Sequence, residues 1–245
     1  MRQKTTEGPV KVRVQLPSSL EEEDTLSDIH WSWVGPESPA VSLAFSEGRS
    51  VEVLFWRSSH VVTQTISNLY KQVSVGLSCP FSEEAIGILI TELVQNALKS
   101  NFKRCFFRKE EIDFDDPDTY SAGLKAFKKE ISRSTEKLAD MAVKENLHVR
   151  VQITPCRENC INIKVINNCP LLPIEAQRIS QKVHAAAHYS NIIDFMEEHQ
   201  DETEGAGLGM LVVSLSLREL GLELDSFEVS EEQSSRTVAS LSLRW

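Results

Sequence analysis

Glu92, Asn96 and Lys99 carry a carboxylate, an amide and an ammonium at positions i, i+4 and i+7. On an α-helix this spacing puts all three on one face. The carboxylate can take a proton from water. The amide oxygen suits a hard cation such as Mg²⁺, and the ammonium can neutralise phosphate. Alone, the set is also what a solvated helix face with a distant ion pair presents, so a second stretch is needed to give it meaning.

That stretch is Glu-Gly-Ala-Gly-Leu-Gly at residues 204–209, followed by the apolar run Met210 to Leu220 and then Gly221. A glycine-rich turn that opens a helix lets backbone N–H groups close on a phosphate, with the helix N-terminus aimed at the charge. Gly221 is a natural C-terminal stop for that helix.

Glu92-x-x-x-Asn96-Ala97-x-Lys99 resembles the N box of the GHKL superfamily, which holds histidine kinases, type II topoisomerases, a heat-shock chaperone and MutL-type repair proteins. Gly205-Ala-Gly207-Leu208-Gly209 is similar to its second glycine box. Between them, Ile163 to Pro173 is similar to the first, usually a strand followed by Asp-Asn-Gly-x-Gly-Ile-Pro. The likeness covers roughly Phe81 to Trp245. It implies ATP and Mg²⁺ as cofactors. In that picture Glu92 assists proton transfer and Asn96 holds the metal, while Lys99 with Gly205, Gly207, Leu208 and Gly209 holds the phosphates. Thr237 matches a late threonine that joins a water network under the adenine. Asn167 stands where the family has an aspartate that accepts a hydrogen bond from the adenine amino group; its amide oxygen accepts too, but without charge. Cys169 and Leu171 replace two box glycines and add side chains where the backbone normally approaches the ligand closely.

These groups must be placed by the elements around them. Ser82 caps a helix to about Ser100, with Glu83 and Glu84 at its positive end and Ile86, Ile90, Leu93 and Ala97 as the core stripe. Ser58 to Leu77 reads as a preceding helix. Its Ser59-His60 only superficially echoes a phosphoacceptor motif, because Val61 replaces the acidic residue and no two-helix hairpin fits before Asn96. After the N-box helix, an acidic cluster around Pro117 caps a charged helix from Thr119 to Asn146; Asp118 and Leu124 fall where a calcium loop would need glycine and glutamate. Val149 to Ile153 and Ile161 to Ile166 alternate as paired strands. Ile174 to Gln200, with His184, His188 and His199, is helical and matches the family's ATP lid. Ser226 to Val229 and Thr237 to Leu243 close the sheet. Near the start, Val10 to Leu16 reads as a strand, Glu21 to Asp28 as an acidic loop, and Pro39 to Phe45 and Val51 to Trp56 as two strands about a glycine turn.

The expected fold is an α+β two-layer sandwich of Bergerat type, a mixed, mostly antiparallel sheet covered on one face by helices. Residues 1–57 form a small β-rich appendage and residues 58–245 the ATP-binding domain, with an inserted helix at about 108–147 and a lid at about 174–204.

Composition bounds the partners. The chain has 245 residues, 41% hydrophobic and 25% charged, with a net charge of −10. An acidic chain argues against nucleic acid as main partner, since phosphate contacts need a basic patch. The N-terminus does not read as a signal peptide, and no window approaches about 18 continuous apolar residues, so no membrane span is expected. Five cysteines, an odd number, fit reduced thiols in a cytoplasm. Cys156 and Cys160 lack two further ligands for zinc.

The function these observations point to is an ATP- and Mg²⁺-binding, histidine-kinase-like signalling module. It lacks its own dimerisation and phosphoacceptor hairpin and works with a partner protein. The alternative is a nucleotide-binding pseudoenzyme or a scaffold with little or no turnover. A hydrolase that drives conformational change fits less well, because no transducer domain follows the sheet.

Overall fold

The computed structural model describes residues 10–15, 31–114, 116–156, 159–189, 193–194, 208–233 and 235–245. Seven strands form one sheet in the order β2-β1-β3-β4-β5-β7-β6. They are β1 (Lys11–Gln15), β2 (Trp31–Val34), β3 (Val51–Phe55), β4 (Val149–Cys156), β5 (Cys160–Asn167), β6 (Phe227–Glu232) and β7 (Arg236–Arg244). Every described pairing is antiparallel. The helices are α1 (Pro39–Ser46), α2 (His60–Gly76), α3 (Glu83–Lys109), α4 (Pro117–Lys144), α5 (Pro173–Ala187) and α6 (Leu208–Glu219). The result is an α+β sandwich, as the alternation of helical and strand periods predicts.

The core lies between one sheet face and the helices. Val12, Val53, Val151 and Val165 stand side by side on β1, β3, β4 and β5, and all are buried. Residues one step along each strand point to the other face, where Arg13 lies on the Trp31 ring at 4.5 Å and its Nε donates to Glu52 at 2.8 Å.

Helix α3 organises the helical layer. Ser82 is its N-cap, its hydroxyl accepting from Ala85 N–H. The stripe Ile86, Ile90, Leu93 and Ala97 is buried as expected, and Leu89, Val94, Leu98, Phe102, Phe106 and Phe107 are buried too. A helix apolar on so much of its circumference is enclosed by neighbours rather than lying on a surface. It runs nine residues beyond Ser100, where Phe102, Cys105, Phe106 and Phe107 are buried on further sides of the helix. Asn101 and Arg104, polar residues in this extension, are buried with polar partners.

Two expectations need correction. Pro39–Ser46 is a helix, not a strand: Ser38 caps it through a 3.3 Å bond from Ala40 N–H, and Pro39 sits in the first turn, where its missing N–H costs nothing. Second, β3 pairs with β4 along five residues, so residues 31–57 extend the main sheet rather than forming an appendage. On β2, Trp31 and Trp33 lie on the face of Arg13, opposite the core. Helix α4 is capped by Asp116 as the acidic cluster implies, and it kinks at Ser134. The acidic loop at residues 21–28 lies outside the described residues.

Candidate functional site

Glu92 and Asn96 sit one turn apart on α3, both half-buried. Asn96 Nδ2 donates to Glu92 Oε1 at 3.0 Å. A carboxylate only accepts, so it takes the NH₂ end of the amide and leaves Asn96 Oδ1 for another donor or a cation. Gly209, in the first turn of α6, lies against this pair. A methyl group replacing its hydrogen would sit 2.1 Å from Glu92 Oε1, 3.0 Å from Glu92 Cδ and 3.3 Å from Asn96 Nδ2. Only glycine lets α6 approach so closely. Two stretches more than a hundred residues apart in sequence thus meet at the N-terminal end of a helix, where backbone N–H groups have no intrahelical acceptors.

The other expected residues distribute differently. Lys99 is exposed, three positions beyond Asn96, and no contact ties it to Glu92 or Gly209 among the described residues. Gly205 and Gly207 lie outside the described residues, as does His199. Leu208 opens α6. His184 is exposed, its Nδ1 2.7 Å from Ser180 O, and His188 is exposed as well.

Asn167 ends β5, facing the helices, opposite Thr237 on β7. It is buried at 3% exposure, and its Nδ2 donates to Ala97 O of α3 at 2.9 Å. Ala97 directly follows Asn96, so this bond ties the end of β5 to the Glu92–Asn96 turn of α3. Cys169 is buried beside it. The Cys169 thiol donates to Asn101 Oδ1 at 3.4 Å, and its carbonyl accepts from Thr237 Oγ1 at 3.0 Å and from Thr237 N–H at 2.9 Å. Asn101 is fully buried, and its Nδ2 has no hydrogen-bond partner among the described residues. An orphaned amide N–H at such a place costs on the order of 1–3 kcal/mol unless water or a ligand meets it. Asn168 faces the other way: its Oδ1 accepts from His148 N–H at 2.7 Å and its Nδ2 donates to Asn146 O at 2.8 Å, joining the box to the turn before β4.

The fit to a magnesium nucleotide is thus uneven. The Gly209 cradle and the Asn96 amide oxygen, not used in the bond to Glu92, suit a phosphate-bound cation. On the base side, the Asn167 amide and the Cys169 thiol fill the space with mutual hydrogen bonds.

A polar cluster that sequence reasoning missed lies next to this region. Glu175, in the first turn of α5, is buried and forms ion pairs with Lys103 and Arg104 of α3. It also accepts from Leu172 N–H at 3.2 Å and from the Tyr120 hydroxyl at 3.4 Å. Arg104 Nη2 donates to Pro170 O at 3.0 Å as well. Burial pushes the Glu175 carboxyl up, but Lys103 and Arg104 outweigh it and hold the group below its ordinary value. These bonds clamp the Pro170–Pro173 turn and the start of α5 to α3. The only sequence signal was Pro173-Ile-Glu175, a proline and an acid in a first helical turn.

The cysteines are free thiols. Cys156 and Cys160 face each other across the β4–β5 hairpin. Burial pushes the Cys105 thiol up to about 12, so it is inert at neutral pH.

The fold and the Glu92–Asn96–Gly209 contact define an α+β sandwich with a polar pair set against a helix start. Over 180 residues, 74% of its length, the chain is 33% identical to an uncharacterised protein of Treponema pallidum (strain Nichols). The chain spans about a third of that protein. No protein-family profile matches the chain, and no solved structure does. No helix among the described residues is long and apolar enough to cross a membrane.

Proposed function

We propose that the chain is an ATP- and Mg²⁺-binding signalling module of the histidine-kinase-like, GHKL type, working with a partner protein in the cytoplasm. The observation that carries this reading is Gly209 seated on the Glu92–Asn96 pair, which brings the second glycine box onto the N box. Asn96 would hold the metal through Oδ1. Glu92, fixed by the Asn96 amide, would orient or deprotonate an attacking hydroxyl. Lys99 and the turn through Gly205 and Gly207 would meet the phosphates, and Thr237 would lie on the adenine side. Bound Mg²⁺ would supply charge neutralisation at the transferring phosphate.

A second reading is favoured by a specific observation. Asn167 donates its NH₂ to Ala97 O instead of standing open to a base, and Cys169 packs beside it. That arrangement supports a pseudoenzyme, with the fold retained as a scaffold. Thermal melts of the full chain with ATP, with and without Mg²⁺, separate the two. A catalytic or binding module gains several degrees only when both are present, by mass action on the native state. A scaffold melts at one temperature throughout.

A further inference from the structure

We infer that the groove between α2 and α3 is a docking site for a basic amphipathic helix of a partner protein. The two helices are joined by a short connection and lie side by side: Lys71 Nζ is 3.6 Å from Glu83 Oε2, and the Tyr70 hydroxyl donates to Phe81 O at 3.5 Å. The groove has a volume of about 410 Å³ and is lined by α3 from Glu83 to Val94. At a rise of about 1.5 Å per residue that stretch is roughly 16 Å, the length of three helical turns.

Its floor is apolar, formed by buried Val62, Ile66, Ile90 and Val94, and Ile88 lines it at 50% exposure. Gly87 is the second observation. It lies inside α3, where glycine weakens a helix. Nothing stands within 4 Å of the position its Cβ would take. The missing side chain therefore serves no contact within the chain, and it leaves room on the groove for another surface.

Charge selects the occupant. Glu83, Glu84 and Glu92 line the groove, and no Lys, Arg or His does among the described residues. Lys71 offsets Glu83 from outside, leaving Glu84 at the rim. A helix with leucine-like side chains at i, i+3 or i+4 and i+7, flanked by Lys and Arg, matches both the floor and the rim. Its far end would lie beside Glu92.

The test is fluorescence anisotropy of a labelled three-turn peptide, leucines on one face and lysines on the other, titrated with the full chain in the absence of nucleotide. Saturable binding is expected. Gly87→Leu, which puts a side chain into the groove, and Glu84→Lys should each weaken binding by at least about tenfold. Val143→Asp, at an exposed apolar site on α4, should leave it unchanged. A peptide with glutamates for lysines should bind at least about tenfold more weakly. Absence of saturable binding overturns the proposal. So does parental affinity in both Gly87→Leu and Glu84→Lys, or an equal loss in Val143→Asp. Because no nucleotide is present, a failure of ATP binding leaves this result unaffected.

Discussion

A methyl group on Gly209 would lie 2.1 Å from Glu92 Oε1. The contact joins the start of α6 to the middle of α3, and any side chain at position 209 must displace the Glu92 carboxylate. The atom in the way is the end of a flexible side chain, so Gly209→Ala moves Glu92 rather than unfolding the helix. The expected loss is the Glu92–Asn96 bond, about 1 kcal/mol of stability, together with an at least roughly tenfold loss of metal-dependent nucleotide binding. Denaturant titration and nucleotide titration of the variant check the two parts separately.

Asn96→Ala removes the amide that fixes Glu92 and the oxygen that would face a cation. Asn96 is half-buried on the polar side of α3, so the fold should survive with a loss of about 1 kcal/mol. Mg²⁺-dependent binding should disappear. A variant that binds Mg-ATP like the parent would remove Asn96 from the metal site.

Asn167→Asp replaces a buried NH₂ donor with an oxygen facing the Ala97 carbonyl. A lone buried carboxylate there should cost roughly 2–4 kcal/mol at neutral pH. A protonated carboxyl donates again, so the gap to the parent should narrow toward pH 4. Urea melts at pH 7 and pH 4 measure it; an equal deficit at both would show that the carboxylate charge is not the cause.

Glu175→Gln leaves Arg104 and Lys103 without their carboxylate, at side-chain exposures of 4% and 14%. Removing one partner of a buried pair costs about 3–5 kcal/mol. The parent carries a matching pH signature. The folded Glu175 sits below its ordinary 4.5, so its contribution is complete above that value and is lost as pH falls through the folded value. Glu175→Gln should flatten the stability profile in that acid window.

His148 gives a separate window. Burial lowers it below 6.5, despite the raising effect of the Asn146 carbonyl beside it. The unfolded chain therefore takes the proton first, and stability should fall as pH drops below about 6.5. His148→Gln should remove that part of the slope in chemical melts between pH 5 and pH 7.

The strands β1 and β3 to β7 and the helices α2 and α4 were legible from alternation, helical spacing and caps; α3 was legible from its Ser82 cap and core stripe, and α6 from the apolar run between Gly209 and Gly221. The end of α3, placed at about Ser100, was not, because Asn101, Lys103 and Arg104 break the apolar pattern and the partners that bury them, Cys169 and Glu175, lie about 70 residues away. Helix α1 was misread as a strand because Val41, Leu43 and Phe45 alternate as well as they wind; Ser38-Pro39 was the deciding signal. For the site, Glu92, Asn96 and Gly209 were legible as pieces of two motifs. The amide bond from Asn167 to Ala97 was not, since sequence states neither burial nor the direction an amide points.

The most direct measurement is isothermal calorimetry of ATP into the full chain with Mg²⁺, repeated with EDTA and with Asn96→Ala. Saturable heat is expected for ATP with Mg²⁺ and is expected to vanish in both controls. No heat for the folded parent at millimolar ATP, or equal heat with EDTA, would contradict it.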